Sequence, residues 1–315
     1  MSTQTATHPD LSATPSSSES ARDLPPAIGA DSGRLDVMGV GGIAYYKDVS
    51  GEGPGVVLIH SVNAAASAYE MRPLFEAFRG RRRVYALDLP GFGRSQRGDR
   101  DYSPSMYTEA IERFIVDVAS PQGEPVDAVA SSLSSEFLAR LAVRSPGLFR
   151  SLTLLSPTGL GPERSSGGLA QTLLHNALRV APVSEGVFRL LRTAPSIRYF
   201  LKKSFVGTVD EGLVRYSHLT AAAAGGRFAP VKFIDGALFT PDAMRTLYEP
   251  LTVPTRIVYD QDPYTRFDRL DSLTRANARV SAHRVAPTLG LAQFERTSDV
   301  VAVIEAPVTP AGAVT

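Results

Sequence analysis

From Gly55 onward the chain alternates two periodicities. Short, nearly continuous apolar runs ("GVVLIH", "RRVYALDLP", "VDAVA", "RSLTLLSP") are separated by longer stretches whose apolar residues recur at helical spacing. A run that is apolar at successive positions has no solvent face, so as a strand it must be covered on both sides. The separators "ASAYEMRPLFEAFRG", "SMYTEAIERFIVDVA" and "SSEFLARLAVRSP" are long enough to carry the chain back over a sheet. The alternation predicts a mostly parallel sheet with helices on both faces. Upstream, "LDVMGVGGIAYYKD" predicts two short antiparallel strands around a Gly-rich turn.

The alternation stops after Leu160. Residues 161–241 read mainly as helices, through "GGLAQTLLHNALRVAP", "SEGVFRLLRTAPSIRYFLKKSF" and "DEGLVRYSHLTAAAAGG". That block is too long for a simple connection and reads as a helical insertion. Strand pattern returns at "VPTRIVYD" (Val253 to Asp260) and "ARVSAHRVAP" (Ala278 to Pro287), and a last helix lies near "TSDVVAVIEA". The predicted core is therefore 35–160 with 242–306. Residues 1–34 are rich in Ser, Thr, Ala and Pro and predict a disordered tail, and 307–315 a second loose one.

Composition excludes several chemistries. With 33 Lys+Arg against 32 Asp+Glu, the total charge gives no reason to expect nucleic acid or an anionic membrane as partner. The chain has no cysteine, which removes disulfides, thiolate nucleophiles and zinc–thiolate sites. No apolar run reaches the roughly 18 residues that span a bilayer, and the N-terminus lacks a basic segment followed by an apolar one. The reading is a cytoplasmic protein that takes a small molecule, with its oligomeric state left open. Nothing calls for a metal, a flavin or a nicotinamide, and "GEGPG" at Gly51 is a turn before a strand rather than a phosphate loop.

The stretch "VASSLSSEF" runs from a strand end into a helix start through a tight, serine-bearing turn. Taken alone, Ser131 to Ser135 read equally as a helix start built of small, capping residues. Three other stretches stand in a telling order around it: "VVLIHS", "ALDLPGFGRS" and "VPTRIVYDQD". Together the four resemble the landmarks of the α/β-hydrolase superfamily, in its branch with a helical cap over the active site. The resemblance covers about Leu35 to Ala306. It implies an eight-stranded, mostly parallel sheet with helices on both faces and the insertion as cap.

The resemblance also implies roles. Ser132 stands where the family has its nucleophile, at an elbow that needs small residues two before and two after it. The usual Gly-x-Ser-x-Gly here becomes Ala130-Ser131-Ser132-Leu133-Ser134. The backbone N–H groups of Leu133 and Val62 stand where the family forms its oxyanion hole. Ser61 replaces a usual glycine, and Asn63 offers a further side-chain donor. Asp262 stands in the place of the catalytic acid, and Asp260 takes a position usually held by glycine; both read otherwise as carboxylates solvating a loop.

The base is missing from its usual place. The family's histidine follows the last strand in a Gly-His segment, which here reads "PTLGLAQFE", with Leu291 in the histidine's position. Leucine cannot accept a proton. Of five histidines, His8 is in the N-terminal tail, and His175 and His218 are in the cap. His283 lies in the last strand, about 26 Å from the required place at ~3.3 Å per residue. His60 is the remaining stand-in, or else a buried structural histidine at a strand end. Glu136, one helical turn past Ser132, is a second candidate, or else an ordinary helix carboxylate. Losing the base of a serine triad costs on the order of 10⁶ in turnover, while an oxyanion hole alone retains roughly 10³–10⁴ over water.

Three readings remain open. The first is an enzyme acting on a small, largely apolar carbonyl- or ester-bearing molecule with a degenerate triad. The second is a lyase, isomerase or cyclase on the same scaffold. The third is a ligand-binding pseudo-hydrolase. All place Ser132 at the mouth of a pocket beneath the cap.

Overall fold

The computed structural model describes residues 23–162 and 181–307. Its strands are β1 (Asp31–Val37), β2 (Gly41–Asp48), β3 (Glu52–Ile59), β4 (Arg82–Leu87), β5 (Val126–Ser131), β6 (Phe149–Leu155), β7 (Thr255–Tyr259) and β8 (Val280–Arg284). They form one sheet in the order β1-β2-β4-β3-β5-β6-β7-β8. The β1–β2 and β2–β4 pairs are antiparallel. From β4 to β8 every pair is parallel. This is the predicted eight-stranded, mostly parallel sheet with its antiparallel pair at one edge.

Alternate side chains of each strand feed opposite cores, as the two-residue period of a strand requires. Val57, Ile59, Ala128, Ala130, Leu152 and Leu154 join one buried cluster, and Val56, Leu58, Val129 and Leu155 join the other. The first is covered by α2 (Pro104–Phe114), α3 (Ser134–Arg144) and α8 (Leu270–Ala276). The second is covered by α1 (Arg72–Phe78) and α10 (Thr297–Glu305). β5 is buried at every position.

Among the described residues between β6 and β7, where the cap was expected, lie the helices α4 (Ala181–Leu191), α5 (Ala194–Lys203), α6 (Glu211–Ala222) and α7 (Phe228–Ile234). The helical stretch from Ser184 is broken at Thr193, where α5 starts afresh with Pro195 in its first turn. The helix predicted over "GGLAQTLLHNALRVAP" lies largely outside the described residues, as do most of the two predicted tails. A short helix, α9 (Ala292–Glu295), follows Leu291 and was not predicted.

One boundary needs correcting. The folded chain begins before residue 35. Ala27 and Ile28 are 2% and 0% exposed, and β1 starts at Asp31. The Ala27 amide donates to the Tyr46 hydroxyl at 3.1 Å, and the Tyr216 hydroxyl donates to the Pro25 carbonyl at 2.9 Å. A composition averaged over thirty residues hides one apolar pair that has a slot to fill.

Candidate active site at the strand ends

The parallel strands β3, β5, β6 and β7 deliver their C-terminal ends to one edge of the sheet, where α/β proteins build their sites. Ser132 follows β5 with φ 53°. Only a small fraction of non-glycine residues take such a backbone, at a cost of about 1–3 kcal/mol. The surroundings impose it. The Ser132 amide donates to the Leu155 carbonyl at 2.8 Å, extending the β5–β6 ladder, while its carbonyl already accepts from Ser135 N at 3.1 Å. Strand and helix therefore meet at a single residue. A plain helix start would not need positive φ, and the residue capping α3, Leu133, makes no side-chain cap bond. The geometry is an elbow.

The small residues around it also carry bonds. Ser134, fully buried, donates its hydroxyl to the His60 carbonyl at 2.6 Å and so staples the elbow to the end of β3. Ser135 donates to the Ala130 carbonyl at 3.3 Å. Ser131 closes β5 opposite Leu155 and is buried at 1% exposure. Among the described residues the Ser132 hydroxyl has no hydrogen-bond partner, and the N–H groups of Val62 and Leu133 have no acceptor.

The loop after β3 is held by a carboxylate that the sequence reading missed. Glu70, 5% exposed, accepts the Ser61 amide at 2.9 Å and the Asn63 side-chain amide at 2.8 Å. Asn63 also donates to the Ser61 hydroxyl at 2.8 Å. Both hydrogens of its amide are thus engaged, so Asn63 is not the further oxyanion donor it was expected to be. Ser61 itself lies outside the left-handed region, so the serine in place of glycine costs no backbone strain. Burial pushes the Glu70 carboxyl above its usual range, against the bonds from Ser61 and Asn63. A carboxylate on the inward face of "SAYEM" was the available signal.

His60 is corrected from candidate base to structural residue. It is fully buried, its Nε2 accepts the Leu89 amide at 2.9 Å, and its Nδ1 lies 2.5 Å from the Ser61 carbonyl. A nitrogen that accepts carries no proton, so the proton sits on Nδ1 and is donated to Ser61. Burial holds its pKa down at about 4. Both ring nitrogens are committed to backbone, and none remains for Ser132.

Glu136 is corrected in the same way. Buried at 1% exposure, it accepts the Thr158 hydroxyl and, at 2.8 Å, the Thr240 amide. It ties the loop after β6 to the chain returning from the cap. Asp260 accepts from Arg284 Nε at 2.8 Å and from the Thr288 amide at 2.9 Å, so it anchors β8 rather than merely solvating its loop.

Asp262 is placed differently. Its Oδ1 accepts the amides of Tyr264 at 2.7 Å and Thr265 at 3.2 Å. Burial nevertheless pushes its pKa up to about 6, against those amides and a bond from the Ser156 hydroxyl. Gly290, at φ 102°, passes so close that a Cβ built on it would lie 2.6 Å from Asp262 Oδ2. Leu291 follows directly, half-buried against the second core cluster. Ser156, itself at φ 44°, and Gly290 are further site residues that the sequence reading passed over.

The remaining histidines are elsewhere. His218, on α6, bonds the Arg192 carbonyl through Nδ1 at 2.8 Å. His283, on β8, meets the Ser281 hydroxyl at 2.9 Å. His8 and His175 lie outside the described residues.

The helices between β6 and β7 touch three segments near the strand ends. Tyr216 stacks on Tyr69 at 5.3 Å between centroids. Glu295 accepts the Val206 amide at 2.6 Å, and the Tyr264 hydroxyl donates to the Phe200 carbonyl at 3.0 Å. Among the described residues, a groove of about 590 Å³ open to solvent lies beside Lys47, Asp48 and Arg79, and another of about 340 Å³ beside Phe188, Arg192 and Phe228. Neither is lined by Ser132 or Asp262.

Residues 56–303 match the model of the alpha/beta hydrolase family. Over 116 residues the sequence is 34% identical to probable lysophospholipase BODYGUARD 2 of Arabidopsis thaliana, a match covering 35% of this chain and 24% of that protein. The chain thus spans about a quarter of the curated relative it matches. Among solved structures it is similar to CarC, a serine hydrolase involved in carbazole degradation (TM-score 0.67, 18% identity, covering 87% of this chain and 98% of that one). It is also similar to the thioesterase domain from the curacin biosynthetic pathway (0.66, 18%, 87% and 98%). A third is a membrane phospholipase A (0.66, 20%, 92% and 89%). At these identities the likeness is one of fold.

Proposed function

The chain belongs to the alpha/beta hydrolase family, and we propose that it binds a small, largely apolar carbonyl- or ester-bearing molecule at Ser132 and hydrolyses it only feebly. The carbonyl oxygen lies between the amides of Val62 and Leu133, which stabilise the charge that develops there. Ser132 supplies the hydroxyl. No imidazole takes its proton, because Leu291 stands beside Asp262 where the family has its histidine. The observation that supports this reading is the close approach of Gly290 to the Asp262 carboxyl, where a Cβ would lie 2.6 Å from Oδ2, since the next residue in the chain is a leucine. The serine hydrolase, thioesterase and lysophospholipase among the similar proteins support a carbonyl or ester as the bound group.

A second reading, non-hydrolytic chemistry such as a lyase, isomerase or cyclase step, is favoured by Leu291 itself. An apolar residue at the acid keeps water away and leaves orientation of the substrate as the main contribution. Labelling with a fluorophosphonate, followed by intact mass, tests the first reading. Slow, stoichiometric labelling that Ser132→Ala abolishes is expected. No labelling over hours, with the fold intact, would overturn it and favour the second.

A further inference from the structure

The near-zero total charge conceals an uneven surface. On the cap, α5 buries Ile197 at 5% exposure but leaves Tyr199 and Phe200 58% and 41% exposed. Lys202 and Lys203 follow on the next turn, both exposed. The Lys203 ammonium lies 4.3 Å from the centroid of the Tyr199 ring and 5.8 Å from that of Phe200. Just past the helix, Val206 is 53% exposed. Tyr264 reaches the same helix from the acid loop, 57% exposed, with its hydroxyl on the Phe200 carbonyl.

Single exposed apolar residues are ordinary, whereas a cluster of rings on one short helix marks an interaction surface. Its charge selects the partner. Arg198 is neutralised by Glu211 at 2.5 Å. The nearby carboxylate of Glu295 is committed to the amides of Val206, Gly207 and Leu289. Among the described residues no carboxylate meets Lys202 or Lys203. What remains is a projecting helix with aromatic rings and two unmatched ammonium groups at adjacent positions. Rings that sit at headgroup level, with lysines beside them, are the composition of a helix lying on a bilayer. We propose that this face of the cap docks on an anionic lipid surface, with Tyr199, Phe200 and Val206 entering the headgroup layer and Lys202 and Lys203 meeting lipid phosphates. Tyr264 is two residues from Asp262, so docking would set the acid loop against the bilayer. The proposal replaces the expectation, drawn from total charge, that no membrane is a partner. It stands whether or not Ser132 turns over.

Co-sedimentation of the full chain with vesicles tests it. Vesicles of phosphatidylcholine with about one-third phosphatidylglycerol should bind more tightly than phosphatidylcholine alone, by about fivefold per engaged lysine. Raised salt should remove the difference. The pair Lys202→Gln and Lys203→Gln should erase the anionic preference, and Tyr199→Ser with Phe200→Ser should weaken binding to both vesicles. All four sites are exposed, so an unchanged melting temperature confirms that each variant is folded. No binding to either vesicle, or an anionic preference that survives loss of both lysines, overturns the proposal. So does a lipid-free dimer that Tyr199→Ser dissolves, which would assign this face to a second copy.

Discussion

Ser132 and Leu291 lie at the same end of the sheet on segments held by contrasting means. The Ser132 side is fixed by backbone. Its amide is in the β5–β6 ladder, Ser134 pins it to the His60 carbonyl, and Glu70 grips the neighbouring loop through Ser61 and Asn63. Ala130, Ser134 and Ser61 stand where the family resemblance implies glycines around the nucleophile and the oxyanion loop, and two of them, Ser61 and Ser134, add a bond. The Leu291 side depends on one side chain for its chemistry. Asp262 is half-buried with bonds from amides and a hydroxyl, and the residue next to its neighbour Gly290 is simply packed. The turn that presents a nucleophile is a property of many contacts and survives local substitution. A base is a single group, and on the proposed reading one leucine in its place, packed against the second core cluster, is enough to remove it.

The contrast breaks first at His60. If it is structural, His60→Leu leaves the Leu89 amide and the Ser61 carbonyl buried without partners, at a cost of about 4 kcal/mol. Urea unfolding should show this. Fluorophosphonate labelling of the molecules that remain folded should be unchanged, and a lost labelling rate at full stability would restore His60 as a base.

The next effect lies at Asp262, with its pKa of about 6 against an ordinary 3.8. Between those values the folded state keeps a proton that the unfolded state has released. Stability therefore falls as pH rises through that window, by up to about 3 kcal/mol at 1.36 kcal/mol per unit. Asp262→Asn should flatten the slope and make the protein more stable than native at pH near 8, with the two equal near pH 4. Parallel pH–stability curves for the two proteins would show that the carboxyl is not strained by burial.

On the proposed reading, Leu291→His supplies a proton acceptor next to Gly290, whose backbone passes close to Asp262. Ester hydrolysis should rise by roughly ten- to a hundredfold, well short of the ~10⁶ that a complete triad draws from its base, because placement within about 0.5 Å is not guaranteed by the α9 loop. No gain, with the variant folded, would mean that Leu291 does not adjoin the acid. The smallest effect is at Glu70→Gln, which turns one acceptor oxygen into a donor facing another donor. It should cost about 1 kcal/mol and slow labelling at Ser132 severalfold. Unchanged labelling would separate Glu70 from the Val62 amide.

Much of this was legible in the sequence. Continuous apolar runs such as "GVVLIH" and "VDAVA" can only be strands covered on both faces, and they became β3 and β5. The apolar runs put Ser132 just beyond β5 and Asp262 just beyond β7, and the family resemblance singled the two out. What escaped were properties of the third dimension. The donor that occupies the His60 acceptor nitrogen, Leu89 N, is 29 residues away, and the amide that bonds Glu136 is 104 residues away. Glu70 read as one polar residue in a helix because its partners, Ser61 and Asn63, lie in a loop whose path the sequence does not specify. Positive φ at Ser156 leaves no mark in "LLSP".

The most direct test of the account is the turnover of a short p-nitrophenyl ester by the native chain beside Ser132→Ala. Hydrolysis orders of magnitude below the enzyme median of ~10 per second, and lower still in Ser132→Ala, is the predicted result: an elbow and oxyanion amides working without a base. Turnover near that median, abolished by Ser132→Ala, would contradict it. It would mean that Ser132 has a proton acceptor after all, with His175 the first histidine to replace.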